Sequence, residues 1–161
     1  MEMIVQILQD GFFAAIAAIG FTAISRPPKR AFLYCAVIAA AGHSLRFVLI
    51  NMPPHLHIIP ATLAASFIIG VLAVLAATIS KFPAETCLYP ALLPMIPGIY
   101  AYKAFGGLAL CILRGISDNF NHYFSLFAYN GLMCCALLLC LVVGATLPIF
   151  IFKKISFQAT R

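Results

Sequence analysis

Five long apolar segments make up most of this chain and limit what it can fold into. They cover roughly residues 3–24, 31–51, 60–80, 88–113 and 122–150 of the 161. Each is near or above the ~20 apolar residues that an α-helix needs to cross a bilayer. With 64% hydrophobic and 9% charged residues, the chain has more apolar surface than a soluble domain of this size can bury. We therefore predict an all-α, polytopic integral membrane protein with five transmembrane helices in a single domain.

The basic residues predict how these helices are oriented. Lys and Arg concentrate on the cytoplasmic side of membrane proteins. With five spans, Arg114 lies on one side and seven basic residues lie on the other, namely Arg26, Lys29, Arg30, Lys81, Lys153, Lys154 and Arg161. This asymmetry predicts that the N-terminus is outside and the C-terminus is cytoplasmic. Because the basic residues flank apolar runs and form no basic face, the formal charge of +6 indicates lipid orientation and not nucleic-acid binding.

The fourth segment contains residues that a continuous membrane helix disfavours. Pro94 and Pro97 lack an N–H group and clash with the preceding turn, so a helix must end or kink there and a new one begins near Gly98. No Ser, Thr, Asp or Asn precedes this start, so its first N–H groups need another partner. A half-helix that begins there, with Tyr102 and Lys103 in its next two turns, suits an anionic or zwitterionic substrate.

These residues predict that the fourth helix is broken at a Pro-x-x-Pro-Gly element and that the substrate binds at the break. The predicted substrate-binding residues are Pro94, Pro97, Gly98, Tyr102 and Lys103. The alternative is an ordinary proline kink, whose freed backbone groups are satisfied by neighbouring helices or by Thr62 and Ser66.

Asp10, His43 and Arg46 are ionisable residues inside the first two predicted spans. Asp10 lies about six residues from the outer end of its span and Arg46 about five, so both are roughly 8–9 Å deep. His43 precedes Arg46 by three residues and shares its helix face. Ionisable groups at this depth are functional candidates, so we predict that Asp10 and Arg46 form an ion pair or share a water-filled cavity, or that Asp10 and His43 have a proton-coupling role. The alternative is an ion pair that only fixes helix register.

Short motifs in the first four segments resemble the ThrE-type threonine/serine exporters, in particular the separate small, YjjB-like subunit. They are Gln9-Asp10, Gly20-Phe21, Pro28 with Arg30-Ala31, Gly42-His43 with Arg46, Thr62 with Ala65-Ser66 and Gly70, and Pro94-Met95-Ile96-Pro97-Gly98 with Ala101-Tyr102. The last element is the most specific. The resemblance implies an exporter in the bacterial inner membrane for threonine, serine or related small carboxylates such as succinate. It also implies a larger, YjjP-like membrane subunit as partner.

Together these features predict a subunit of a proton-coupled secondary transporter. An enzyme is disfavoured, since His43 and Ser44 point about 100° apart on a helix and no carboxylate is expected to orient the histidine. We expect no metal or other cofactor, because the sequence has no Gly-rich phosphate loop and no Cys/His spacing typical of metal sites. A non-transporting membrane scaffold and a passive channel subunit remain alternatives.

Two pairs of small residues predict close helix contacts. Ala14 and Ala18 form a small-xxx-small pair in the first span, and Gly106 and Gly107 lie in the fourth. Such contacts could serve internal packing or the interface with the partner subunit. A second copy of the chain is a further candidate partner.

Overall fold

The computed structural model describes residues 1–53, 55–116 and 119–153, which form helices and no strands. The helices are α1 (Glu2–Ser25), α2 (Lys29–Asn51), α3 (Ile58–Ser80), α4 (Glu85–Leu92), α5 (Gly98–Arg114) and α6 (Phe120–Ile151). A short 3₁₀-helix, Leu93–Met95, follows α4. Four helices are long and apolar enough to cross a membrane, and the bent pair of α4 and α5 gives a fifth candidate when it is counted as one broken span. The predicted all-α membrane fold with a broken fourth helix is confirmed. Lys154 and Arg161, two of the basic residues used to predict the orientation, lie outside the described residues.

Prolines and left-handed residues end the helices near the predicted turns. Arg26 adopts φ 48° directly after α1, and Pro27 and Pro28 prevent the helix from continuing. Lys81 adopts φ 59° after α3 and donates its N–H to the Ala77 carbonyl at 3.0 Å. Both residues therefore end their helices with a left-handed cap, a position that glycine more often fills.

The chain forms two compact units. The first comprises Met1–Met95 and the part of the chain from Cys140 onward, and the second is Ile96–Leu139. The boundary between the units thus falls inside the broken fourth span.

Alanine dominates the core of the first unit. Alanines exposed by no more than 2% in this core are Ala18, Ala31, Ala39, Ala65, Ala73, Ala77, Ala84, Ala91 and Ala145. Larger buried side chains, among them Ile69, Leu88 and Met95, fill the remaining space. Lipid chains are as apolar as these side chains, so small residues stabilise membrane helix pairs chiefly by letting the backbones approach closely.

One such approach joins α1 to α2 at Gly11. A Cβ atom on Gly11 would lie 2.6 Å from Ser44 Oγ and 3.5 Å from the Ala40 carbonyl oxygen. Ala14 and Ala18 lie one and two turns further along α1 and are also buried. This small-xxx-small pair therefore serves packing inside the chain.

A second close contact in the first unit joins α3 to the last part of α6. Ser66 is fully buried, and its Oγ donates to the Cys140 carbonyl at 3.1 Å. A Cβ atom on Gly144 would lie only 2.7 Å from the Leu63 carbonyl oxygen. The two helix backbones are therefore nearly in contact at this point.

In the second unit, α5 packs against the first part of α6. A Cβ atom on Gly107 would lie 2.7 Å from the Phe127 amide nitrogen and 2.9 Å from the Tyr123 carbonyl oxygen. Arg114 donates from Nη1 to the Tyr123 hydroxyl at 2.9 Å, and its guanidinium carbon lies 5.6 Å from the centre of the same ring. Gly107, like the alanine pair of α1, thus serves packing between helices of this chain.

Candidate functional site

The break in the fourth span is an inverse γ-turn centred on Pro97. Pro97 has φ −78° and ψ 61°, and the Gly98 N–H donates to the Ile96 carbonyl at 2.8 Å. The first regular bond of α5 follows, from the Ala101 N–H to the Pro97 carbonyl at 3.1 Å. Pro97 has no N–H to extend the preceding helix, so the chain changes direction here before α5 begins.

The start of α5 has fewer free N–H groups than the sequence suggested. No side chain caps this helix, as predicted, but Gly98 already uses its N–H in the γ-turn. The N–H groups of Ile99 and Tyr100 have no acceptor among the described residues. Space beside Gly98 is open, since a Cβ atom there would meet nothing within 4 Å.

The other predicted substrate-binding residues divide between the two units. Pro94 is half-buried and belongs to the first unit, whereas Pro97, Gly98, Tyr102 and Lys103 belong to the second. Tyr102 is 79% exposed and Lys103 is also exposed. Both long side chains on α5 are therefore accessible from outside their unit.

The break also frees the Met95 carbonyl, which Arg46 binds. In a continuous helix this carbonyl would accept from the N–H of Ile99, but the γ-turn lies between them. The half-buried Arg46 of α2 donates from Nη1 to the Met95 oxygen at 3.3 Å. An arginine of α2 thus satisfies part of the backbone that the break leaves unpaired.

Asp10 binds His43 directly and not Arg46. Asp10 Oδ2 lies 3.1 Å from His43 Nδ1, so the two side chains are in direct hydrogen-bonding contact. Arg46 interacts with Asp10 only electrostatically, over a longer distance. The predicted direct Asp10–Arg46 pair is therefore not formed in the described part of the chain, since His43 holds the carboxylate and Met95 holds one end of the guanidinium.

This contact also corrects the expectation that no carboxylate orients His43. Asp10 does so, from the neighbouring helix. The adjacent Ser44 donates its hydroxyl to the Ile7 carbonyl at 3.3 Å, which ties α2 to α1. In this structure Ser44 therefore contributes to the packing of α2 against α1.

Two buried polar atoms of the first unit form no well-aligned hydrogen bond to another described residue. They are His43 Nε2 and the hydroxyl of Thr62. Ser66, named with Thr62 as an alternative partner for the backbone groups at the break, instead bonds the Leu63 and Cys140 carbonyls. Because unpaired polar groups are costly away from water, His43 and Thr62 are the positions where this unit has spare hydrogen-bonding capacity.

A groove of about 370 Å³ runs between α3 and the last part of α6, but its lining does not suit a charged substrate. It is lined by Pro60, Leu63, Ala64, Phe67, Ile68, Gly144 and Leu147. None of these side chains can pair with a carboxylate or an ammonium group. The ionisable side chains of Asp10, His43 and Arg46 instead lie together with the Met95 carbonyl, and we call this group the intramembrane polar cluster.

Comparison with known proteins assigns the family. The profile of the family described as threonine/serine exporter, ThrE, matches residues 10–151, which include the whole polar cluster and the break. The chain belongs to the ThrE family. The resemblance inferred from the sequence motifs is thereby confirmed, and the ThrE match together with the apolar helices identifies a membrane protein of a transport family.

A relative of this ThrE-family chain is known from Haemophilus influenzae. The two are 36% identical over 152 residues, and that protein is described as uncharacterized. The match covers 92% of this chain but 48% of the relative, so the chain spans about half the length of the curated relative that it matches. No solved structure matches the chain.

Proposed function

We propose that this chain is one subunit of a two-component secondary transporter that exports threonine, serine or a related small carboxylate such as succinate. The family match over residues 10–151 carries this proposal. Because the chain corresponds to about half of its relative, we assign the other half to a larger, YjjP-like membrane subunit. The two subunits lie in the bacterial inner membrane, and this chain has its N-terminus outside and its C-terminus in the cytoplasm.

The broken fourth span supports a role in substrate binding. Transporters commonly bind substrates at interrupted helices, where backbone groups at the helix ends are free. The unpaired N–H groups at the start of α5 favour a carboxylate, which lipid cannot replace as an acceptor. In this proposal Pro94, Pro97 and Gly98 shape the backbone of the site, and Tyr102 and Lys103 bind the substrate from the following turns.

The contact between Asp10 and His43 supports proton coupling. A carboxylate and an imidazole in direct contact inside the membrane can hold one proton more or one fewer without a large rearrangement. In this proposal the pair takes up a proton as the substrate leaves in the opposite direction.

Efflux from intact cells tests the proposed function. Cells that co-express the chain and its larger subunit, loaded with labelled threonine or succinate, should release label faster than cells that lack either subunit. Equal efflux with and without this chain would overturn the proposal.

The matched pair Gly98→Leu and Gly106→Leu tests the binding role of the break. Both glycines lie on α5 with open space around them, so neither substitution should disturb packing within the chain. Leucine at Gly98 should block the approach of a carboxylate to the backbone and reduce efflux, while leucine at Gly106 should not. Unchanged efflux of both substrates in assembled Gly98→Leu complexes would exclude this site.

The variant Lys103→Ala tests the contribution of the exposed charge on α5. It should weaken export of succinate more than export of threonine, because only the dicarboxylate has a second negative charge for Lys103 to bind. A loss of equal size for both substrates would argue against direct binding.

A further inference from the structure

The two opposite charges of the intramembrane polar cluster are held apart. His43 binds the Asp10 carboxylate at 3.1 Å, and the Met95 carbonyl accepts from the Arg46 guanidinium at 3.3 Å. His43 also interacts electrostatically with both charged groups. The cluster therefore presents an anion and a cation on neighbouring helices that do not neutralise each other by direct contact.

Each charged group keeps unused hydrogen-bonding capacity. A guanidinium has five N–H donors, and Arg46 uses one of them within the described residues. The Asp10 side chain is 35% exposed and bonds through Oδ2 alone, which leaves Oδ1 available. The His43 side chain is only 9% exposed and also interacts with the Pro94 backbone, so the histidine is held in place beside Asp10. Ionisable groups within a membrane normally find partners, so a ligand that completes these interactions is expected here.

We propose that Asp10 and Arg46 form a receptor for a zwitterionic α-amino acid, with Arg46 binding its carboxylate and Asp10 binding its ammonium group. This inference rests on the proposed export function and narrows its substrate class. It assigns the substrate carboxylate to Arg46 in place of the N–H groups at the start of α5, so the two placements are alternatives that the variants Arg46→Gln and Gly98→Leu distinguish. The planar guanidinium fork matches a carboxylate in two parallel hydrogen bonds. An α-amino acid carries its positive charge one carbon from its carboxylate, so a single small molecule can meet both separated charges.

The same arrangement disfavours a dicarboxylate. One carboxylate of succinate could bind Arg46, but the other would then meet the Asp10 carboxylate, and like charges at close range repel. A hydroxy acid without an amine would bind Arg46 through its carboxylate but would offer no ammonium group to Asp10. The receptor therefore ranks threonine above 3-hydroxybutyrate, and 3-hydroxybutyrate above succinate. His43 acts as a positioning residue, because its bond to Oδ2 fixes the Asp10 carboxylate.

Exchange uptake into inside-out membrane vesicles tests this receptor. The vesicles are prepared from cells that co-express the chain and its larger subunit. Uptake of labelled threonine, 3-hydroxybutyrate and succinate is measured without a proton gradient, so that proton coupling does not affect the uptake rates. In the wild type, unlabelled threonine should inhibit uptake of labelled threonine at least tenfold more strongly than threoninamide, which lacks the carboxylate, or 3-hydroxybutyrate. This comparison needs no variant, so it holds even where a substitution prevents assembly.

Two variants assign the charges to residues. Asp10→Asn should raise the ratio of succinate to threonine uptake at least tenfold, because it removes the repelling carboxylate and the ammonium partner together. Arg46→Gln should raise KM at least tenfold for all three acids. Glu2→Gln and Arg30→Gln, exposed charges on the same two helices, serve as controls and should change neither quantity.

The outcomes separate this receptor from the broader function. Absence of uptake for every compound in wild-type vesicles, relative to vesicles without the chain, would overturn the export function and the receptor with it. Uptake of threonine with equal inhibition by threoninamide, or an unchanged succinate-to-threonine ratio in assembled Asp10→Asn, would overturn the receptor and leave export standing.

Discussion

The close contact of α1 and α2 at Gly11 gives a quantitative prediction about how the polar cluster is held together. Gly11 follows Asp10 directly, so the spacing of these two helices sets how closely the carboxylate approaches His43. In Gly11→Val, the new Cβ would lie 2.6 Å from Ser44 Oγ, and the branched methyl groups would press on Ala40, whose carbonyl oxygen is 3.5 Å from that Cβ. The Ser44 hydroxyl must therefore rotate away, and the methyl groups beyond Cβ crowd the α2 backbone at Ala40.

The cost has two parts. Displacing Ser44 breaks its bond to the Ile7 carbonyl, and hydrogen bonds between membrane helices contribute about 0.6 kcal/mol on average and up to about 1.7. Overpacking a well-packed contact adds roughly 1–3 kcal/mol. We expect Gly11→Val to destabilise the chain by about 2–4 kcal/mol, measured by reversible unfolding in mixed micelles with increasing sodium dodecyl sulfate.

Gly20→Val on the same helix is the matched control. It introduces the same side chain with the same helix propensity, but a Cβ atom at Gly20 meets nothing within 4 Å. Any difference between the two variants therefore reports the contact between α1 and α2. Equal losses of stability, within about 0.5 kcal/mol, would refute the reasoning.

Three further variants test other contacts. Ser66→Ala should cost about 0.6–1.7 kcal/mol of unfolding free energy, because it breaks the bond between α3 and α6, whereas Thr146→Ala, whose hydroxyl bonds only within α6, should cost much less. Pro97→Ala restores a backbone N–H and should slow hydrogen exchange at residues 98–100 as helical bonds replace the γ-turn; unchanged exchange would contradict a break caused by Pro97. Arg114→Ala should lower unfolding free energy by about 0.5–1 kcal/mol through loss of its contact with the aromatic ring on α6, and no change in thermal stability would count against that contact.

Most of the fold followed from the sequence because membrane helices need long apolar segments with polar ends. The five predicted segments agree closely with the four long helices and the interrupted pair. The break was also predictable, since Pro94 and Pro97 cannot both fit a regular helix. The assignment of the whole chain to a single domain stays a prediction.

The partners within the polar cluster could not be predicted from the sequence. Depth along a helix placed Asp10 and Arg46 at the same level, but it gave no information on the rotation of α1 against α2, which brings Asp10 to His43. The sequence also did not indicate that Arg46 binds a backbone carbonyl. The Met95 carbonyl becomes available to Arg46 only because the γ-turn interrupts the helix. The spacing of three between His43 and Arg46 was the one sequence feature that linked the histidine to this cluster.

Counterflow in reconstituted vesicles tests most directly the claim that this chain is half of a secondary transporter. Purified chain and larger subunit would be reconstituted into vesicles preloaded with unlabelled threonine and diluted into a trace of labelled threonine. We predict a transient accumulation of label inside, above its external concentration, that requires both subunits, because a carrier exchanges substrate through an alternating site. Simple equilibration without accumulation would indicate a passive channel, and accumulation of the same size with the larger subunit alone would show that this chain takes no part in transport.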